Sequence, residues 1–158
     1  QPLFQDMDKN GIDYRIVSCL SEPDTKIANK FVEELVSAHP DRLGGCAVIN
    51  PKQRDCAEEC ERFLENPAMK MVEFNSLEHG YYPDVCEGVD KVLEVVAKNQ
   101  AIVKVFSGIG SRAMPQQWLK HVEKYPQIPL IMDMVALIWL EDMKISIWRL
   151  QISMKCRF

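Results

Sequence analysis

The chain has 158 residues, 47% of them hydrophobic and 27% charged, a balance that suits one soluble folded domain around a single core. Its net charge of −4 comes from interspersed acids and bases, which excludes both the basic footprint of a nucleic-acid binder and an acidic tail. The longest apolar run, near residues 134–140, is too short to span a bilayer, and the chain opens without a basic and then apolar leader pattern. No membrane partner is expected, and the sequence reads as cytoplasmic.

In chain order, residues 3–11 read as the end of a helix stopped by Asn10 and Gly11. A first strand is predicted over residues 14–20. Helix periodicity follows at Ile27, Phe31, Leu35 and Val36, after Pro23 and Asp24, and stops in the turn His39-Pro40-Asp41-Arg42. A second strand is predicted over residues 43–50. Cys56, Cys60, Phe63 and Leu64 mark the next amphipathic helix, and residues 69–75 form a strand after the breaker Pro67. Residues 76–83 read as a longer loop. Val89, Leu93, Val96 and Ala97 give a further helix face, residues 101–106 a fourth strand, residues 118–122 a fourth helix and residues 128–133 a fifth strand. The six cysteines are scattered through these elements, which favours reduced thiols over the disulfide framework of a small secreted domain.

Five strands alternating with four helices are the pattern of βαβ crossovers and a parallel sheet, because parallel neighbours need a connection long enough for a helix. Two architectures satisfy it: an incomplete (β/α)8 (TIM) barrel and an open doubly wound sheet. The strand faces favour the barrel. Val72 and Phe74 share one face of the third strand, with Met71, Glu73 and Asn75 on the other, and Val103 and Val105 oppose Lys104 on the fourth. Glu73 and Lys104 are expected to meet on one interior and to pair, since an unpaired buried charge is costly.

Every predicted strand ends on or near a polar residue: Ser18, Asn50, Asn75, Ser107 and Asp133. In parallel α/β folds ligands bind at that edge, although strand ends are also polar simply because they are wet. The candidate catalytic residues are therefore Asp133, Lys104 and Glu73, and the candidate substrate-binding residues are Asn75, Ser107, Gly108 and Arg112. The Gly-rich turn from Ser107 to Arg112 could hold an anion on backbone N–H groups with Arg112 as partner. Cys56 and Cys60 stand one helical turn apart, but no second pair has ligand spacing, so core thiols are the better reading. Met114 and Trp118 read as core. No residue is assigned as a metal ligand.

The succession NGIDYRIVS, AHPDRLGGCAVINP, a cysteine-containing helix before MKMVEFN, then GIGSRAMPQQW and IPLIMD resembles the amidohydrolase-related (amidohydrolase 2) family over residues 7–133. Its most specific local feature is the HPDR turn followed by a strand ending in Asn-Pro. The resemblance implies a TIM-barrel metal-dependent hydrolase or decarboxylase acting on a small-molecule substrate. It further implies a divalent metal, zinc or manganese, held by a His-x-His pair, two further histidines and a late Asp, which activates water for attack on a C–N or C–O bond. This chain departs from that pattern: it has no His-x-His, and Phe106 stands before Ser107 and Gly108 where the family often carries a His. His39, His79 and His121 read as surface or supporting residues. The resemblance thus implies a parent hydrolase and a chain that binds no metal and is inactive. A non-catalytic α/β module binding an anionic ligand or a partner chain remains the alternative.

About five strands cannot close a barrel that takes about 250 residues, so exposed sheet edges should favour homo-oligomers or covering by the tail. That tail, residues 134–158, is an atypical apolar segment with no βα pattern, distinct from the barrel-like residues 1–133. Back-translated with permitted codons and one base restored after the Asp133 triplet, it reads as Asp-His-Gly-Gly and later Asn-Ile-Tyr-Leu-Glu-Thr-Ser, which resembles the family's continuation. A single-base deletion after Asp133 is the expectation. Sequencing the gene checks it, and a coding region with no family-like neighbouring frame removes it.

Overall fold

The computed structural model describes residues 2–19, 24–108 and 110–133. In order they form α1 (Pro2–Lys9), β1 (Arg15–Val17), α2 (Thr25–Ala38), β2 (Leu43–Val48), α3 (Cys56–Leu64), β3 (Met69–Phe74), α4 (Ser76–His79), α5 (Glu87–Lys98), β4 (Ile102–Phe106), a 3-10 turn (Pro115–Trp118), α6 (Leu119–Lys124) and β5 (Leu130–Asp133). The residues expected to cover an edge or to mark a frame slip, 134–158, lie outside the described residues. Among the described residues no helix is long and apolar enough to cross a membrane.

The five strands are all parallel and stand in the order β1-β2-β3-β4-β5. A doubly wound sheet reverses its strand order at a switch point, with helices on both faces. Here the order never reverses, and right-handed crossovers place every helix on one side. The core shows the result: Val32, Val36, Cys60, Phe63, Val92, Val96 and Trp118 of the helical layer pack against Leu43, Ala47, Ile49, Val72, Phe74, Val103 and Val105. The architecture is a curled partial (β/α)8 barrel, and the open-sheet alternative is excluded.

Local sequence explains the boundaries. Asp24 caps α2 by accepting from the N–H groups of Lys26 and Ile27, satisfying donors the first turn leaves free. Gly11, at φ +65°, ends α1 in the left-handed region that favours glycine. Residues 76–83 are not a plain loop, because Asn75 accepts from the Glu78 N–H and starts the short α4, which ends on Gly80 at φ +69°. The described residues hold six α-helices; α2, α3, α5 and α6 are the four read as crossovers, and α1 and α4 are additional.

The face predicted for α2 is wrong in part. Ile27 and Phe31 are exposed, whereas Thr25, Ala28, Asn29, Val32 and Val36 are buried. The reason is Asn29. β1 pairs with β2 only as far as Val17 opposite Gly45, so the outward peptide groups of Val48 have no strand beside them. The Asn29 side chain supplies both bonds, donating to the Val48 carbonyl at 2.8 Å and accepting from its N–H at 2.8 Å. A buried peptide left unpaired would be destabilising by about 1–3 kcal/mol per group.

Between the second and third crossovers the backbones touch. A Cβ on Gly88, in the first turn of α5, would lie 1.8 Å from the Pro51 carbonyl oxygen. Neither partner is a flexible side-chain end, so Gly88→Ala is expected to destabilise the fold by about 3 kcal/mol, read as a lower urea midpoint with unchanged m-value.

Candidate functional site

The face opposite the helices is the inner face of the partial barrel. Strand alternation places Cys46 and Val48 of β2, Met71 and Glu73 of β3, Lys104 of β4, and Ile131 and Asp133 of β5 on it. Register sets Glu73 directly beside Lys104, and Lys104 beside Ile131. The predicted pair forms: Lys104 Nζ lies 3.3 Å from Glu73 Oε2 and also 3.0 Å from Asp133 Oδ2. Glu73 Oε2 accepts in addition from Ser18 Oγ at 3.2 Å and faces Cys46 Sγ at 3.9 Å. The three candidate catalytic residues thus form one ionic row across three strands.

The row is graded in exposure. The Glu73 side chain is fully buried, while those of Lys104 and Asp133 are 22% and 41% exposed. Burial pushes the Glu73 carboxyl above its ordinary value, against the Lys104 ammonium and the Ser18 hydroxyl, which favour the charged form. Burial alone would pull Lys104 down, but its hydrogen bond to Asp133 and the charge of Glu73 hold it above the usual lysine value. Lys104 is therefore an ammonium at neutral pH, and not a free base or nucleophile. Burial likewise raises the Cys46 thiol far above its usual range. At the row's ends Tyr14, Ile16 and Ile131 are 42%, 37% and 38% exposed, so the inner face opens to solvent at both edge strands.

The candidate substrate-binding residues sit at the same rim but are engaged with each other. Ser107 donates from its N–H and Oγ to the Asp133 carbonyl at 3.0 and 3.2 Å. The Gly108 N–H donates to the Ala113 carbonyl at 2.6 Å, with Gly108 at φ +100°. Two of the amides expected to face an anion therefore close the turn instead. Arg112 is exposed, with its guanidinium 5.7 Å from the Tyr82 ring centre, and its carbonyl accepts from Ser76 Oγ at 2.5 Å. Asn75 caps α4, and its amide nitrogen donates to Glu78 Oε2 at 3.0 Å. The β3 and β4 rim loops are thereby docked together.

The histidines lie away from the row. His39 caps the end of α2 and meets the Phe4 ring edge-on at 4.7 Å. His79 belongs to α4, and burial lowers its pKa. His121 is not a surface residue: it is 2% exposed, with Nδ1 3.2 Å from Asp90 Oδ1 and Nε2 2.9 Å from the Pro83 carbonyl. Cys56 and Cys60 are buried, the latter thiol pushed up to about 12 by burial, and both belong to the core. Among the described residues no three His, Cys, Asp or Glu side chains converge as a metal site. A divalent metal does not fit the inner row either, because the Lys104 ammonium already lies between its two carboxylates.

Two cavities lie off the inner face. One of about 430 Å³ is lined by Asp8, Gly11, Ile12, Asp13, Asp41 and Arg42, at the end where strands begin. The other, about 260 Å³, lies between α2 and α3, lined by Lys26, Asp55, Glu58, Glu59 and Arg62. Sequence reading missed Glu59, which is 6% exposed and whose two carboxyl oxygens have no partner among the described residues. Ser18 and Cys46 around Glu73 were legible only as a strand end and an alternation.

No family model matches the chain, and no curated protein matches it. Solved structures do. The 5-carboxyvanillate decarboxylase LigW from Sphingomonas paucimobilis superposes with a TM-score of 0.65 at 17% identity, over 84% of this chain and 50% of that one. A manganese-bound 5-carboxyvanillate decarboxylase from Novosphingobium aromaticivorans gives 0.61 at 18%, over 84% and 48%. An amidohydrolase II gives 0.70 at 20%, over 97% and 61%, and a TIM-barrel protein from Bordetella bronchiseptica 0.66 at 14%, over 88% and 52%. At such identities the likeness establishes the fold, and the chain spans about half the length of most of these proteins.

Burial raises the Glu59 carboxyl above its ordinary value of 4.5, against the charges of Lys26 and Arg62. The native state then binds more protons than the unfolded chain, so stability should fall as pH rises above that ordinary value. Glu59→Gln should raise Tm at pH 7 and lose that advantage at pH 4, in thermal melts followed by circular dichroism.

Proposed function

We propose that the chain is part of an amidohydrolase-related metal-dependent hydrolase or decarboxylase of small carboxylated substrates, and that the chain by itself is inactive. The family assignment is supported by the unreversed five-strand order, the likeness to an amidohydrolase II and to 5-carboxyvanillate decarboxylases, and the HPDR turn and Asn-Pro strand end. The inactivity is carried by one observation: the inner face presents Glu73, Lys104 and Asp133 joined in an ion row.

In this reading Asp133 and Lys104, the members that reach solvent, are the residues a substrate would meet. Glu73 has no exposed surface and positions Lys104. Asn75, Ser107, Gly108 and Arg112 shape the rim, and Arg112 is the one whose charged head stands exposed. Activity in the parent protein takes place on a metal, zinc or manganese, that ligands beyond this row would hold.

A second reading, a non-catalytic module that binds another chain through its open inner face, is favoured by the exposed Tyr14, Ile16 and Ile131.

Purified full chain should contain well under one equivalent of zinc or manganese. It should release no CO2 from 5-carboxyvanillate above the buffer rate, with or without added Mn²⁺. Stoichiometric metal together with turnover would overturn the inactive reading.

A further inference from the structure

The inner face carries more negative charge than a fold interior tolerates. Glu73 and Asp133 come from strands separated by β4, and both point at the same place. Two carboxylates facing one another across a partly dry site repel, and one of them here has no exposed surface. Something cationic has to stand between them. Metal-dependent barrels solve that problem with a bound ion; this chain solves it with a side chain.

We propose that Lys104 is a tethered cation filling a latent metal site: its ammonium holds together the oxygen ligands Glu73 and Asp133, and excludes a divalent ion from between them. The geometry supports this at each atom. Nζ stands 3.3 Å from Glu73 Oε2 and 3.0 Å from Asp133 Oδ2, so one donor group bridges two carboxylates. Ser18 Oγ is 3.2 Å from the same Glu73 oxygen and adds a third oxygen to the cluster. Glu73 Oε1 is buried and has no partner among the described residues, so the site has more acceptor capacity than the ammonium satisfies. A hard divalent ion such as Mn²⁺ favours this set of carboxylate and hydroxyl oxygens completed by water.

The inference deepens the inactive-barrel reading by giving its physical cause, and it depends on that reading only for the absence of metal in the native chain. Its test is the metal response of Lys104→Met, whose side chain is of similar length and uncharged. Without metal, Lys104→Met should melt on the order of 10 °C below wild type, since removing one partner of a buried ion pair leaves an uncompensated charge. Added Mn²⁺ should recover most of that loss in the variant and leave the wild-type Tm unchanged.

A double variant, Lys104→Met with Glu73→Gln, keeps the proposal falsifiable if the single variant folds poorly. With the buried carboxylate neutralised it should melt well above Lys104→Met without metal and show no Mn²⁺ response. A single variant that stays indifferent to Mn²⁺, or a double variant as unstable as the single one, overturns the tethered-cation inference and leaves the inactive reading standing. One equivalent of Mn²⁺ taken up by wild type with Lys104 in place overturns both.

Discussion

A lysine ammonium between two carboxylates sets the terms for the rest of the sheet. Glu73 can be buried on β3 only while Lys104 reaches it from β4, and Lys104 is held from the other side by Asp133 at the end of β5. These contacts require the three strands to keep their register. A slip of one residue would turn Lys104 toward the helices, where Val103 and Val105 now pack. The apolar face alone would accept other hydrophobic pairings; the ion row on the opposite face accepts one. Such specificity is a recognised use of buried polar groups, even where their net contribution to stability is small.

The alternation of Val72 and Phe74 against Glu73, and of Val103 and Val105 against Lys104, was readable because a strand has a period of two and both strands are buried on both sides. That pattern carried the fold class and the pairing of Glu73 with Lys104. It did not carry the reach of Lys104 on to Asp133, which depends on how the sheet curls. On α2 the apolar residues pointed to the wrong stripe, since Ile27 and Phe31 are larger and more hydrophobic than the Ala28 and Asn29 that face the core. Helical periodicity counts apolar side chains and has no means of registering that an amide is needed to satisfy a strand edge. His121 and Glu59 escaped for a related reason: each is a polar residue whose burial is decided by a neighbouring element, α5 for one and α2 for the other.

The rim shows how a fold shared with enzymes can present little free chemistry. Ser76 binds the Arg112 carbonyl, Tyr82 OH stands 3.4 Å from Ser111 Oγ, and His121 holds the Pro83 carbonyl. These contacts tie the loops after β3 and β4 to one another and to α6. In a (β/α) barrel those same loops are where substrate contacts arise, and here much of their hydrogen-bonding capacity is directed inward. The likeness to decarboxylases is one of scaffold, and the scaffold supports many chemistries.

Asn29 gives the first strand an unusual status. By gripping both peptide groups of Val48, a helix side chain performs the closing of the sheet edge that would otherwise fall to a longer β1. The boundary of the barrel wall is thereby drawn from outside, by the helical layer. A chain built this way can exchange, shorten or reconnect its opening strand without stripping the second one of its partners, which makes the β1 side a natural point at which to splice, permute or graft half-barrels.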